Sequence, residues 1–206
     1  ALGMLLVLAT AVFVNALPNA FVFDDVHQIL ANPWILDFTH LREIFTTHVW
    51  AFAGRDSNYY RPLMHVAYAL VYTAFGPAPW AFRAMSVLLH AASTALVFLI
   101  AIRLDPRRLP GRWTAPVGPA LAAGLLFALH PVHVEAVAWI SSLPDLACAT
   151  LYLAGVLAFL ASTEAAGGRV TSLHAAGTLA CLASALFKEP GITLPAVVVL
   201  WDCWRR

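Results

Sequence analysis

WAFRAMSVLLHAASTALVFLIAI, at residues 80–102, is a predominantly apolar run that is long enough to cross a lipid bilayer. A spanning helix needs about 20 mostly apolar residues. Further candidate spans lie at residues 1–17, 115–130, 144–162 and 172–187, and a sixth, at about 191–204, follows the polar interruption at 188–190. The sequence therefore predicts an all-α, polytopic transmembrane helical bundle of about six spans.

The composition agrees with a membrane protein. Of the 206 residues, 61% are hydrophobic and only 11% are charged, whereas soluble domains average about 45–50% apolar and about 25% charged residues. The net charge of +1 gives no case for a nucleic-acid partner. The three cysteines, Cys148, Cys181 and Cys203, lie within apolar runs and show no disulfide or zinc framework.

Arginines in the short connections predict the orientation, because Lys and Arg concentrate in cytoplasmic loops. The run at residues 63–75 is about 13 residues long, too short to span with confidence, and is predicted to be a re-entrant or interfacial helix. With that helix kept on one side, seven arginines share the other side: Arg103, Arg107, Arg108, Arg112, Arg169, Arg205 and Arg206. We expect that side to be cytoplasmic.

The opposite side collects eight of the eleven acidic residues, namely Asp24, Asp25, Asp37, Glu43, Asp56, Glu135, Asp145 and Glu189. It includes a first extracytoplasmic loop at residues 18–79, in which short interfacial helices are expected, for example at residues 36–46. Loops of this length are often functional. We therefore expect an extracytoplasmic active face, in a bacterial cytoplasmic membrane or the endoplasmic reticulum membrane. Both ends of the chain look like cuts, so residues 1–206 are interpreted as a single but incomplete membrane domain.

Two adjacent carboxylates, Asp24 and Asp25, follow the first span. Such a pair suits a general base with an orienting partner, or metal binding. A solvated acid pair that caps a short helix is the alternative interpretation.

Cations occur at two other places on the same predicted face. Arg61 follows Tyr60, and arginine recognises phosphate bidentately, while tyrosines settle at the membrane interface. Lys188 and Glu189 interrupt apolar sequence, and charges at such depth are functional candidates by default. Lys188 is expected to pair with a phosphate or with an acid of the outer face. The alternatives are an aromatic anchor at Tyr60 and a tight turn at Lys188.

The stretch HPVHVE at residues 130–135 supplies His130, His133 and Glu135 at the outer end of the third span. It lacks the His-Glu-x-x-His pattern of zinc peptidases. A metal there would need further ligands, such as Asp24 or Asp25. No metal site and no certain cofactor are assigned, and a divalent metal is left open. His90, in the middle of a span, is interpreted as a helix–helix hydrogen-bonding residue.

These motifs resemble, in this order, those of the polytopic GT-C glycosyltransferases, and most of all the transmembrane, tetratricopeptide-repeat O-mannosyltransferase-like proteins. The resemblance rests on FDD (23–25), NP (32–33), YRPL (60–63), LLH (88–90), LHPVHVEAVAW (129–139) and KEP (188–190). It covers nearly the whole chain but only the amino-terminal part of the family's membrane domain, without tetratricopeptide repeats. Family proteins often have Arg before Asp where this chain reads SLPD (142–145), so Asp145 is interpreted only as an acid in the first turn of a span.

The resemblance implies transfer of a sugar, typically mannose, from a polyprenyl- or dolichyl-phosphate donor to a Ser or Thr hydroxyl of a translocated polypeptide, with inversion. It implies an acidic base in the first outer loop, which is Asp24 or Asp25 here. We assign Arg61 and Lys188 to the donor phosphate. The acceptor or donor pocket is assigned to His130, His133, Glu135, Glu189 and Tyr60. Expected partners are the lipid-linked donor, the polypeptide acceptor and membrane lipid.

Three other functions use the same residues. A transporter or flippase for a lipid-linked anion would need the cations and acids without chemistry. A membrane metalloprotein would be built on His130 and His133. A noncatalytic scaffold would tolerate substitution at all of these positions.

Overall fold

The computed structural model describes residues 1–105 and 117–205, and the regular elements in these ranges are all helical. The α-helices are α1 Leu2–Ala11, α2 Leu41–Thr46, α3 Pro62–Phe75, α4 Pro79–Leu104, α5 Val117–Leu129, α6 His133–Ala138, α7 Leu143–Ser162, α8 Gly168–Phe187 and α9 Leu194–Arg205. The all-α prediction is confirmed. Arg107, Arg108, Arg112 and Arg206, which were used to predict orientation, lie outside the described residues.

Three helical segments are long and apolar enough to cross a membrane: α4, α8, and α7 together with the 3₁₀ turn Ile140–Ser142 that precedes it. The other candidate spans form shorter helices, with 10 residues in α1, 13 in α5 and 12 in α9. The membrane-protein class is supported by these three helices. The number of about six crossings stays a prediction.

The bundle is organised around α4 and α7. Helix α7 packs against α4 and α8, while α4 also packs against α1 and α5. The ring of His90 on α4 lies 3.1 Å, through its Nε2 atom, from the carbonyl oxygen of Ala128 on α5. This contact is the helix–helix hydrogen bond expected for His90, and it fixes the carboxyl end of α5 against α4.

A glycine permits the close approach of α7 and α8. A Cβ atom built on Gly177 would lie 2.9 Å from the ring of Phe159 on α7. Small residues at such positions let membrane helices approach each other closely.

The part of the predicted extracytoplasmic loop that precedes α3 folds into short helical pieces packed on that helix. They are the π-helical turn Val26–Leu30, the 3₁₀ turn Pro33–Ile35, α2 and the 3₁₀ turn Ala51–Ala53. The helix expected at residues 36–46 is wrong at its start, since α2 begins only at Leu41. Asp37 instead accepts hydrogen bonds from the backbone N–H and the hydroxyl of Thr39, at 2.9 and 2.6 Å, which hold a turn.

A buried histidine on α3 fixes this loop. The Nδ1 atom of His65 lies 3.2 Å from the side-chain nitrogen of Asn32, and its Nε2 atom lies 3.2 Å from the carbonyl oxygen of Val49. The amide oxygen of Asn32 accepts from the N–H of Trp34, so its NH₂ group faces His65, whose Nδ1 must accept. Burial lowers the pKa of His65 to about 4, against the opposing effect of the Val49 hydrogen bond. The loop is therefore built around a neutral imidazole.

Candidate functional site

The residues predicted on the outer face lie together at one end of the helix bundle. Asp25 contacts Ser141, which lies just before α7, and Arg61, which precedes α3, contacts Glu189 after α8. The opposite ends of α4 and α7 are joined by Arg103 and Glu164, 3.4 Å apart. The fold thus brings the acid pair, the cations and the segment around α6 to the same end.

Asp25 is buried and turned toward the protein. Its Oδ1 accepts hydrogen bonds from the backbone N–H of Ser141 at 2.9 Å and from the hydroxyl of Ser141 at 2.6 Å. Its Oδ2 accepts from the N–H of Val22 at 3.2 Å. Because a buried carboxylate needs such donors, Asp25 fastens the loop after α1 to the start of α7.

Arg83 on α4 supports the same loop and is buried, with 1% of its surface exposed. Its Nε donates to the carbonyl oxygen of Ala138 at 3.0 Å, and its two terminal nitrogens donate to the carbonyls of Asn19 and of Ala20. One guanidinium therefore joins the residues after α1 to the end of α6.

Asp24 is turned the other way and is exposed. It lines an open groove of about 530 Å³ together with Val22, Phe23, Glu135 and Trp139. Phe23 lies at the rim, 85% exposed, with a φ angle of +47°. That angle is uncommon for a residue with a Cβ atom, and such conformations cluster at functional sites. The structure thus separates the two predicted base candidates: Asp24 is accessible and Asp25 is not.

Arg61 and Glu189 form a two-pronged ion pair. The Nε and NH2 atoms of Arg61 donate to the two carboxylate oxygens of Glu189 at 3.0 and 2.9 Å. The guanidinium also lies 4.6 Å from the ring centre of Tyr59. Burial alone would raise the pKa of Glu189, but the Arg61 hydrogen bond and the nearby positive charges outweigh it and lower that pKa. The neighbouring Tyr60 hydroxyl donates to the carbonyl of Phe45 at 2.9 Å.

Lys188 pairs with Asp145 in the first turn of α7. Lys188 was expected to pair with a phosphate or with an acid of the predicted outer face, and in the structure it pairs with Asp145, one of those acids. The alternative Lys188–Glu189 contact is not among the ion pairs of the described residues. The two side chains are partly exposed, 25% for Lys188 and 43% for Asp145. They lie at the edge of a second groove, which is lined mainly by α7.

The histidines of residues 130–135 belong to an aromatic cluster. The ring centre of His133 lies 4.4 Å from that of Phe127 and 5.2 Å from that of His90. Burial, and then the neighbouring His130, lower the pKa of His133. Among the residues that the structure describes, no group of three or more His, Cys, Asp or Glu side chains is placed to hold a metal ion.

Sequence reasoning did not find Ser141, the anchoring role of Arg83, or Asp145 as the partner of Lys188. Arg83 carried a usable signal, since an arginine within a candidate span is a functional candidate by default. Ser141 carried none, because it is one of many small polar residues in the chain.

These features define the class of the protein. It is a helical membrane protein that has an accessible acidic groove and an ion-paired lysine at one end of its bundle. The chain is a relative of the protein O-mannosyl-transferases across nearly its whole length, which confirms the resemblance of its motifs to the O-mannosyltransferase-like proteins.

Three relatives show how far the similarity extends. The chain is 36% identical over 205 residues to protein O-mannosyl-transferase Tmtc2 of Drosophila melanogaster, which covers 96% of the chain and 21% of that protein. It is 35% identical over 198 residues to Tmtc1 of the same organism, covering 95% of the chain and 22% of the relative. It is 32% identical over 202 residues to TMTC2 of Homo sapiens, covering 95% and 23%.

The chain thus spans about a fifth of the length of these curated relatives. No family model matches the sequence. No solved structure matches it significantly.

Proposed function

We propose that this chain forms part of a membrane glycosyltransferase of the GT-C type, which moves a sugar, mannose by analogy with its relatives' names, from a polyprenyl- or dolichyl-phosphate donor to a Ser or Thr hydroxyl of a translocated polypeptide. The observation that carries the proposal is the exposed Asp24 carboxylate in a groove shared with Glu135. The printed names of the relatives support the reaction class. Transfer takes place on the extracytoplasmic face.

Asp24 is the general base in this proposal. The acceptor hydroxyl gives its proton to the Asp24 carboxylate while its oxygen attacks the anomeric carbon of the sugar. The bond from that carbon to the phosphate oxygen breaks, and the lipid phosphate leaves with the bonding electrons. Attack on the face opposite the leaving group inverts the anomeric centre. Asp25 acts as a positioning residue, because its contacts with Ser141 fix the backbone on which Asp24 stands.

The contacts favour Lys188 over Arg61 as the cation that meets the donor phosphate. Arg61 is held by two hydrogen bonds to Glu189 and by the Tyr59 ring, so it serves to fix the first loop to the end of α8. The carboxylate that pairs with Lys188 among the described residues, that of Asp145, is itself partly exposed, and Lys188 lines an open groove. A preorganised cation at that point would stabilise the negative charge that develops on the leaving phosphate.

Helix α6 provides the pocket residues that lie nearest to both parts of the site. Glu135 lines the groove of Asp24, while His133, two residues earlier, contacts Phe127, which lines the groove of Lys188. In this proposal Glu135 contacts the acceptor and His133 separates the acceptor from the donor side. Tyr60 and Glu189 hold the pocket wall through their bonds to the loop.

A transfer assay with the reconstituted protein tests the proposal. Radiolabelled dolichyl-phosphate mannose and a Ser/Thr-containing peptide are the substrates, and GDP-mannose is offered separately. Asp24→Asn should lower the transfer rate by about 10²- to 10⁴-fold, which is the usual contribution of a general base, and leave donor binding intact. Asp56→Asn removes an exposed carboxylate of the same loop and should keep the rate. Full activity of Asp24→Asn would refute the base assignment, and transfer from GDP-mannose alone would refute the lipid donor.

A further inference from the structure

A groove of about 420 Å³ runs along α7 next to the Lys188–Asp145 pair. Five of its lining residues come from α7 with spacings of three and four: Asp145, Cys148, Ala149, Tyr152 and Leu153. Residues with these spacings share one face of a helix. The groove therefore follows the axis of α7 from its charged first turn toward the apolar interior of the predicted membrane.

The walls of the groove come from two other elements. Phe127 of α5 contributes to the lining, and its ring lies stacked on His90 at 5.6 Å between ring centres. Pro190 and Thr193, in the 3₁₀ turn Glu189–Thr193, contribute as well. The hydroxyl of Thr193 lies 3.3 Å from that of Tyr152 and links this turn to α7.

The chemistry of the groove changes along its length. Cys148, one turn after Asp145, lies beside the charged pair, with its Sγ 3.7 Å from the carbonyl oxygen of Lys188. Ala149 and Leu153 continue the small and apolar lining along α7. Lys188 stands at the end of the groove that begins with Asp145, and within the described part of the chain its ion-pair partner is the carboxylate of Asp145. An apolar channel that ends at a cation is complementary to a long hydrocarbon chain that ends in an anion.

An anionic ligand can displace the carboxylate of Asp145 from Lys188, because both side chains are partly exposed. Partly exposed ion pairs contribute little net stability, because water solvates the separated charges well. Asp145, the more exposed partner, remains in contact with water when Lys188 turns away. A phosphate group can therefore take its place at the ammonium group.

We infer that the α7 groove binds the single hydrocarbon chain of a lipid phosphate, and that Asp145 is an exchangeable counter-ion that occupies Lys188 until the phosphate replaces it. This inference rests on the proposed function, since the lipid is the donor of the sugar. It adds the location of the chain and a role for Asp145, which the sequence marked only as an acid in the first turn of a span.

A polyprenyl-type phosphate is the occupant that the proposed function calls for, because it is the lipid that carries the sugar. The groove lies along one face of α7, and Phe127, Pro190 and Thr193 complete its lining. Its position also suits transfer, because Phe127 contacts His133 at the start of α6 and the groove of Asp24 lies on that helix.

Equilibrium binding of tritiated dolichyl phosphate, which carries no sugar, to the protein in nanodiscs tests the inference. Ala149→Trp fills the groove and should raise the dissociation constant at least tenfold. Ala176→Trp adds the same bulk to an exposed position on α8 and should leave it unchanged. Dolichol and phosphatidic acid serve as competitors that carry the chain without phosphate and the phosphate with two chains.

The charge variants separate a counter-ion from a binding residue. Lys188→Gln should weaken binding at least tenfold, and Lys188→Arg should largely retain it. Asp145→Asn should tighten binding several-fold, because the phosphate no longer competes with a carboxylate for Lys188. If Asp145→Asn instead weakens binding as much as Lys188→Gln, the counter-ion role is wrong.

Two further outcomes would overturn the groove itself: unchanged binding in Ala149→Trp, or displacement by phosphatidic acid as effective as that by dolichyl phosphate. Because no sugar is transferred in this assay, its result is independent of catalysis. Normal mannose transfer by Ala149→Trp would reject the groove and leave the enzyme proposal standing. If the variants show the expected binding pattern but the wild-type protein transfers no sugar, the enzyme proposal is wrong and the lipid-phosphate groove stands.

Discussion

Replacement of Arg83 tests whether the candidate site around Asp24 depends on one buried guanidinium. Arg83→Met keeps much of the apolar stem but removes the donors to the carbonyls of Asn19, Ala20 and Ala138. Hydrogen bonds from charged donors contribute about 1.5–3 kcal/mol each. Part of that sum is offset because the charge no longer has to be desolvated, and disruption of a buried charged network typically costs about 3–5 kcal/mol. We expect a loss of about 4 kcal/mol.

Arg83→Lys should give an intermediate loss. The single ammonium of lysine lacks the planar fork of arginine. It therefore cannot bond at once to the carbonyls of Asn19 and Ala20 and to the carbonyl of Ala138. Arg42→Met is the matched control, because Arg42 is exposed on α2 and exposed substitutions usually change stability by no more than about 0.5 kcal/mol.

The assay is thermal unfolding in nanodiscs, followed by near-ultraviolet circular dichroism. For a domain of this size, a loss of about 4 kcal/mol corresponds to a fall in the unfolding midpoint on the order of 10 °C. Mannose transfer should fall as well at temperatures where the protein is still folded, because Asn19 and Ala20 precede the backbone that carries Asp24. An Arg83→Met midpoint that coincides with those of wild type and Arg42→Met would refute the reasoning.

Two other substitutions test the packing beside the site. The pKa of His65 is about 4 in the folded protein and 6.5 in the unfolded chain, so its contribution to stability is fully present above pH 6.5 and falls by about 3 kcal/mol toward pH 4. His65→Gln should therefore flatten the plot of unfolding midpoint against pH between pH 6.5 and 4. An unchanged slope in that variant would contradict the burial of a neutral imidazole. A Cβ atom on Gly191 would clash with the backbone nitrogen of Ala185, so Gly191→Ala should cost about 1–3 kcal/mol. Gly168→Ala, with nothing within 4 Å, should melt as wild type does.

The helices were predictable because hydrophobicity acts locally along the chain. The run at residues 80–102 corresponds to α4, Pro79–Leu104, and the run at 144–162 corresponds to α7, Leu143–Ser162. The prediction failed at residues 36–40, where the side chain of Asp37 bonds to Thr39 instead of leaving the backbone to start a helix. Such competition is decided by a single local hydrogen bond, which apolar spacing does not reveal.

The pairing of charges was not predictable to the same degree. Sequence reasoning placed Asp24, Asp25, Lys188 and Glu189 on one face, and the structure brings them to one end of the bundle. It did not separate Asp24 from Asp25, since both belong to the same dipeptide. Only the contact of Asp25 with Ser141, 116 residues away in sequence, shows which carboxylate faces the protein.

The sequence by itself determined that this is a helical membrane protein, because long apolar runs favour a bilayer. It also marked the charged residues beside those runs as candidates for a site, because charges at membrane depth are costly. The tertiary structure alone decided how those charges are used. Helix packing brings Lys188 to Asp145 and Arg61 to Glu189. It also leaves Asp24 facing the groove, because hydrogen bonds between distant segments depend on where the helices end in space and not on the order of residues along the chain.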